Sequence, residues 1–138
     1  MRPVAIKVLG IVTGVVLANL IIFGWEAAGT QFARAPLASA GSYEVGGIWG
    51  WAGVYMVCGW AVGTLVGAYV AFATTRWDFS GWIVAALIAV AGLANTLTTH
   101  QSVWLRLAAV AVPFVATMVA FGGYRRWRAS RLHLQRRR

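Results

Sequence analysis

Four stretches free of charged residues, 8–25, 45–75, 79–97 and 107–124, take up most of this 138-residue chain. A helix rises about 1.5 Å per residue, so about 20 apolar residues match a hydrocarbon core about 30 Å thick. Each stretch is long enough for one crossing, and what remains is too short for a soluble domain. The chain is therefore expected to be all-α, an integral four-transmembrane-helix bundle. The spans are expected at about 5–25, 50–74, 79–98 and 103–124 within a domain of residues 1–124, followed by a basic tail at 125–138.

Composition narrows the chemistry. Charged residues make up 11% of the chain, against roughly 25% in soluble domains. Glu26, Glu44 and Asp78 are its only acids and Cys58 its only cysteine. No intrachain disulfide and no cysteine zinc cluster can form. No catalytic serine–histidine–acid arrangement, phosphate-cradling glycine loop or zinc-binding helix motif is visible. No catalytic residue, metal ligand or cofactor is expected, and the chain reads as a non-enzyme. The net charge of +9 is concentrated at the C-terminus, where seven arginines lie among residues 125–138. That placement argues for a membrane anchor rather than nucleic acid binding.

Charge also sets orientation, because cytoplasmic loops retain excess Lys and Arg. With four spans, Arg2, Lys7, Arg76 and the seven tail arginines share one side, while Arg34 and Arg106 lie on the other. Both termini are thus expected to be cytoplasmic, in a bacterial inner membrane. Arg2 and Lys7 before an apolar run, with Ala33-Arg34-Ala35 beyond it, have the outline of a secretory signal. The run is longer than a signal core and Pro36 would follow the cleavage point, so the first span is expected to remain. Indole rings favour the headgroup region. Trp25, Trp49, Trp51 and Trp104 fall at the outer boundary, Trp77, Trp82 and Trp127 at the inner one, and only Trp60 near mid-membrane. Residues 26–44, rich in Ala, Gly, Ser and Thr, are expected to form an outer loop, and 98–102 a tight outer turn. The start of the second stretch, Gly46-Gly47-Ile48-Trp49-Gly50, is expected to be irregular.

Small residues recur every fourth position: Gly10, Gly14 and Ala18 on the first span, and Gly59, Gly63, Gly67 and Ala71 on the second. Residues four apart share a helix face, and glycine there permits close backbone approach. These stripes are expected to pack helices, inside the bundle or against another subunit. Leucine on the opposite face of the second span, at Thr64 or Val66, is expected to be tolerated.

A polar group gathers towards the outer side: Glu26 ending the first span, Asn95 within the last turn of the third, His100 in the outer turn and Arg106 opening the fourth. Glu26, His100 and Arg106 lie at similar depth, so Glu26 and Arg106 form a candidate ion pair that would offset the cost of charge near hydrocarbon. The other reading is that both simply reach the headgroups independently. Asn95, with Thr96 and Thr98, is expected to tie helices together, and Asn19 also needs partners at its depth. Pro113 frees the carbonyl of Ala109 and is expected to bend the fourth span mildly. His100 and His133 fall on opposite sides of the membrane and cannot share a metal. The tail arginines would bind anionic headgroups at about 1 kcal/mol each.

The segment Phe23-Gly24-Trp25-Glu26-Ala27, the glycine-spaced second span and Ala91-Gly92-Leu93-Ala94-Asn95 together resemble small four-helix bacterial inner-membrane proteins of unknown function. That resemblance implies the fold and no activity. Small multidrug-resistance transporters share the length and a first-span Glu, but theirs lies near mid-membrane and Glu26 lies at the edge. Small fluoride channels share the length and glycine content, but many insert in both orientations, which the strong charge bias here opposes. The function expected from sequence is a structural or accessory membrane protein, packed with itself as a homo-oligomer or within a larger membrane complex. The alternative is a small oligomeric transporter or channel with the polar group at its outer mouth.

Overall fold

The computed structural model describes residues 3–37, 51–98 and 103–135, and these form four helices. They are α1 (Pro3–Leu37), α2 (Trp51–Thr75), α3 (Ser80–Thr98) and α4 (Val103–Gln135). All four are long and apolar enough to cross a membrane. Their outward surfaces carry large apolar side chains such as Phe23, Val90 and Leu107, each about two-thirds exposed or more. Soluble monomers rarely expose contiguous apolar area on this scale. The core is built instead from small residues: Ala18, Ala68, Ala71, Ala85, Ala109 and Ala120 are all buried.

The two glycine stripes meet each other along an antiparallel seam. Gly10 faces Thr74 and Thr75, Gly14 faces Gly67 and Ala71, Gly63 faces Ala18 and Ile22, Gly59 faces the Trp25 ring, and Gly29 faces Tyr55. A Cβ placed on Gly14 would lie 2.6 Å from the Gly67 carbonyl oxygen, so the backbones themselves touch. Helix α2 is the hub, packing on α1, α3 and α4, whereas α1 and α4 do not pack on each other among the described residues. That arrangement corrects the expectation for Thr64. The face of α2 opposite the glycines meets other helices, and Thr64 is fully buried.

The short turn between α2 and α3 is fixed by its own hydrogen bonds. Arg76 adopts a left-handed conformation (φ 52°), and its N–H donates to the Phe72 carbonyl at 3.0 Å. This is a single-bond C-cap, filled by arginine where glycine is usual. The Thr75 hydroxyl oxygen accepts from the Trp77 N–H at 3.1 Å and lies 2.9 Å from the Ser80 hydroxyl, which donates to the Trp77 carbonyl at 2.7 Å. Lys7 sits over the Trp77 ring at 5.0 Å, and Asp78 reaches Arg128 at 3.9 Å. The latter pair is exposed and contributes at most about 1 kcal/mol. Its value is positional: the start of α1, this turn and the basic end of α4 lie at one end of the bundle.

Two helices run further than hydropathy implied. Helix α1 continues to Leu37, so the expected outer loop beginning at Glu26 is helical for its first twelve residues. Ala27, Ala28, Gln31, Ala33 and Arg34 are mostly good helix formers, and no proline intervenes before Pro36. Hydropathy marks where a helix leaves hydrocarbon, not where it stops. Helix α4 likewise continues through the basic residues to Gln135. Pro113 is buried within it, and the Ala109 carbonyl it frees lies against Gly92 of α3. The expected irregular start at 46–50, the remainder of the outer loop, and His100 lie outside the described residues.

Candidate functional site

Near the end of the bundle away from the basic tail, α1 and α3 part over α2 and leave a cleft of about 230 Å³. Asn19, Ile22, Phe23 and Glu26 line it from α1, Trp60 from α2, and Ile88, Ala91, Gly92 and Asn95 from α3. Residues 19, 22, 23 and 26 share one face of α1 because they are spaced by three, four and seven. Residues 88, 91, 92 and 95 repeat the same spacing on α3. Gly92 and Ala91 keep the α3 wall low, and the buried Trp60 forms the floor. The Trp60 indole N–H donates to the Glu26 carboxylate. Asn19 donates its amide N–H to its own helix at the Val15 carbonyl, 2.9 Å away, which leaves its Oδ1 as an acceptor. Asn19, Phe23, Ala91 and Asn95 are exposed, so the cleft opens sideways on the apolar flank of the bundle.

Of the polar group read from sequence, Glu26 and Asn95 come together here and Arg106 does not. Arg106 is half-buried on α4, across the bundle from α1, and its Nε is buried without a hydrogen-bond partner. The ion pair seen among the described residues is Asp78–Arg128. A similar position along two helices says nothing about which helices are neighbours, and α1 and α4 do not pack on each other among the described residues. The double substitution Glu26→Gln/Arg106→Gln should therefore be additive within about 0.5 kcal/mol when stability is measured by unfolding in detergent. Coupling of about 1 kcal/mol or more would place the two side by side.

Trp60 is the residue that sequence reasoning missed. Its signal was present, since it was the only tryptophan away from both membrane boundaries. A ring at that depth needs a partner for its N–H, and Glu26 is that partner. Trp25 packs within the bundle: its ring rests on Gly59, and its N–H is buried without a hydrogen bond. The expected threonine ties between helices are also local. Thr96 donates to the Leu93 carbonyl at 2.9 Å, and Thr98 to the carbonyls of Ala94 and Asn95 at 3.1 and 2.9 Å. Ser and Thr commonly satisfy their hydroxyls on the preceding turn in this way.

No family model, curated protein or solved structure matches this chain. Function must be read from the cleft itself. A carboxylate, two amides and an indole converge there in otherwise apolar surroundings, the general make-up of a small-molecule site. Glu26 is an ionisable side chain within a helix long and apolar enough to cross a membrane, and such a residue is a functional candidate by default.

Proposed function

We propose that this chain is a multi-pass protein of the bacterial inner membrane, with both termini in the cytoplasm, and that it binds a solute in the Glu26 cleft as small transporters and channels do. The observation that carries this reading is the shared cleft of Glu26, Asn95, Asn19 and Trp60. A second point favours it over a purely accessory role: the glycine stripes are used within the chain, so they no longer speak for a partner subunit. The tail arginines on the extended end of α4, including the exposed Arg125, Arg126, Arg128 and Arg131, then hold anionic headgroups on the cytoplasmic side.

The test is co-purification. Protein extracted directly into lipid nanodiscs should carry a small molecule detectable by native mass spectrometry. Ala91→Phe, a substitution at the exposed rim, should remove it by filling the cleft. Identical profiles for the two proteins would dismiss the solute-site reading.

Orientation is tested separately. In a Cys58→Ser background, a cysteine at Ser39 should react with an impermeant thiol reagent in intact cells, and a cysteine at Ser130 should not. Labelling at Ser130 would overturn the charge argument.

A specific feature keeps an accessory reading in view. A shallow groove of about 470 Å³ between α2 and α4 is lined by Val57, Ala61, Leu65, Ala111, Val115 and neighbouring small apolar residues. Ala61, Ala111 and Ala116 keep the groove low between the larger valines and Leu65, and low alanine positions of this kind are what a further transmembrane helix packs against. A homo-oligomer or a larger membrane complex would use this surface.

A further inference from the structure

We infer that the cleft takes a small organic ammonium ion with an apolar body, entering sideways from the membrane; this rests on the cleft being a solute site. The polar end of the cleft is rich in acceptors. Glu26 presents its carboxylate, and Asn19 keeps Oδ1 after its amide N–H is given to Val15. The protein donor identified at Glu26 is the neutral Trp60 N–H. Among the described residues, Arg106 is on a helix that α1 does not touch. A carboxylate beside hydrocarbon is expensive unless countercharge is supplied, and a ligand cation supplies it with N–H donors for both acceptors. An anionic ligand would meet Glu26 with like charge.

The remaining lining describes the rest of the ligand. Ile22, Phe23 and Ile88 provide an apolar wall, and the rings of Phe23 and Trp60 can face a cation. Hard metal ions are a poor fit, because magnesium takes six oxygen ligands and calcium six to eight. Glu26 and two amides fall short of calcium's number, and the apolar wall of Ile22, Phe23 and Ile88 offers no hydrogen-bond partners for the waters that magnesium retains. The volume, about 230 Å³, is below the roughly 300–1,000 Å³ of sites for drug-sized molecules. A short alkylammonium is of the right size. The exposed rim of Asn19, Phe23, Ala91 and Asn95 between α1 and α3 gives the route, so the ligand partitions into lipid before it binds.

Calorimetric titration of the protein in nanodiscs tests this, with heats from empty nanodiscs subtracted. n-Hexylammonium, 1-hexanol and hexanoate serve as probes of matched length. Saturable binding is expected for n-hexylammonium, weakened at least tenfold by Glu26→Gln and abolished by Ala91→Phe. Val90→Phe, on the neighbouring exposed face of α3, should leave it unchanged. Because Glu26→Gln can also disturb the Trp60 contact, Ala91→Phe and Val90→Phe provide the comparison that does not depend on it. Equal binding of 1-hexanol, insensitive to Glu26→Gln but lost in Ala91→Phe, would overturn the ammonium assignment while supporting a solute site. Failure of n-hexylammonium to bind folded wild-type protein would also overturn the assignment. The solute-site reading would then stand or fall on the co-purified molecule alone.

Discussion

Gly67→Leu should leave little folded protein in detergent. A Cβ at Gly67 would fall on the Gly14 carbonyl oxygen and 2.8 Å from the Ala18 Cβ. The first obstacle is backbone and the second is a methyl group anchored to it, so neither can rotate away. The whole α1–α2 seam would have to open. Overpacking a core costs about 1–3 kcal/mol where side chains can yield, so about 3 kcal/mol or more is expected here. That is a large part of a typical folding stability of roughly 5–15 kcal/mol. Gly24→Leu is the matched control, since nothing lies within 4 Å of a Cβ there. It should be neutral, or stabilising by up to about 1 kcal/mol through helix propensity. Thermal melts by circular dichroism would compare the two, and equal tolerance would show that the seam does not hold the bundle together.

This seam was partly legible. Glycine at four-residue spacing is a pattern that one helix face displays by itself, so both stripes could be named as packing faces. Which surface each would meet, inside the bundle or on another subunit, could not be read until the two were seen to face each other. The number of helices long and apolar enough to cross a membrane and the position of the turn at Arg76 were plain, because charged and polar residues interrupt the apolar runs. Azimuth was not legible. Glu26 and Arg106 lie on α1 and α4, which do not pack on each other among the described residues, and no periodicity within either helix reveals that. The cleft was half legible for the same reason. Glu26 and Asn95 could be named as polar residues at membrane depth, but their meeting over Trp60 depends on how α1 and α3 splay across α2. The helical continuation of α1 past Glu26 was hidden because a polar helix and a polar loop leave hydrocarbon with the same hydropathy.

Phe72→Ala is expected to be the most damaging of the ordinary core truncations. Phe72 is fully buried on α2 and presses against Gly81 of α3. Its ring also lies 5.3 Å from Phe121 and 5.7 Å from Tyr124, both on α4. One side chain therefore joins three helices. Phe→Ala in soluble cores costs about 3–5 kcal/mol, combining transfer from water with the cavity left behind. Lipid tails are themselves apolar, so the transfer part shrinks in a bilayer and the lost packing dominates. About 3 kcal/mol is expected, measured as a shift in the detergent unfolding midpoint. Phe114→Ala, whose ring stacks on Trp82 at 6.4 Å but stands more than a third exposed, should cost well under half as much. A larger effect at Phe114 would mean that the bundle is held from its surface rather than through α2.

The unbroken course of α4 makes it a lever. Its basic end continues the same helix as its apolar part, and Pro113, where the backbone ladder lacks a bond, is where bending costs least. From Pro113 to Gln135 the rod is about 33 Å long, so a change of about 10° in bend sweeps its tip by about 6 Å. The freed Ala109 carbonyl rests on Gly92, and Gly92 is part of the wall of the Glu26 cleft. A molecule that wedged α3 outward at that wall would thus be felt, magnified, at the basic end of the bundle.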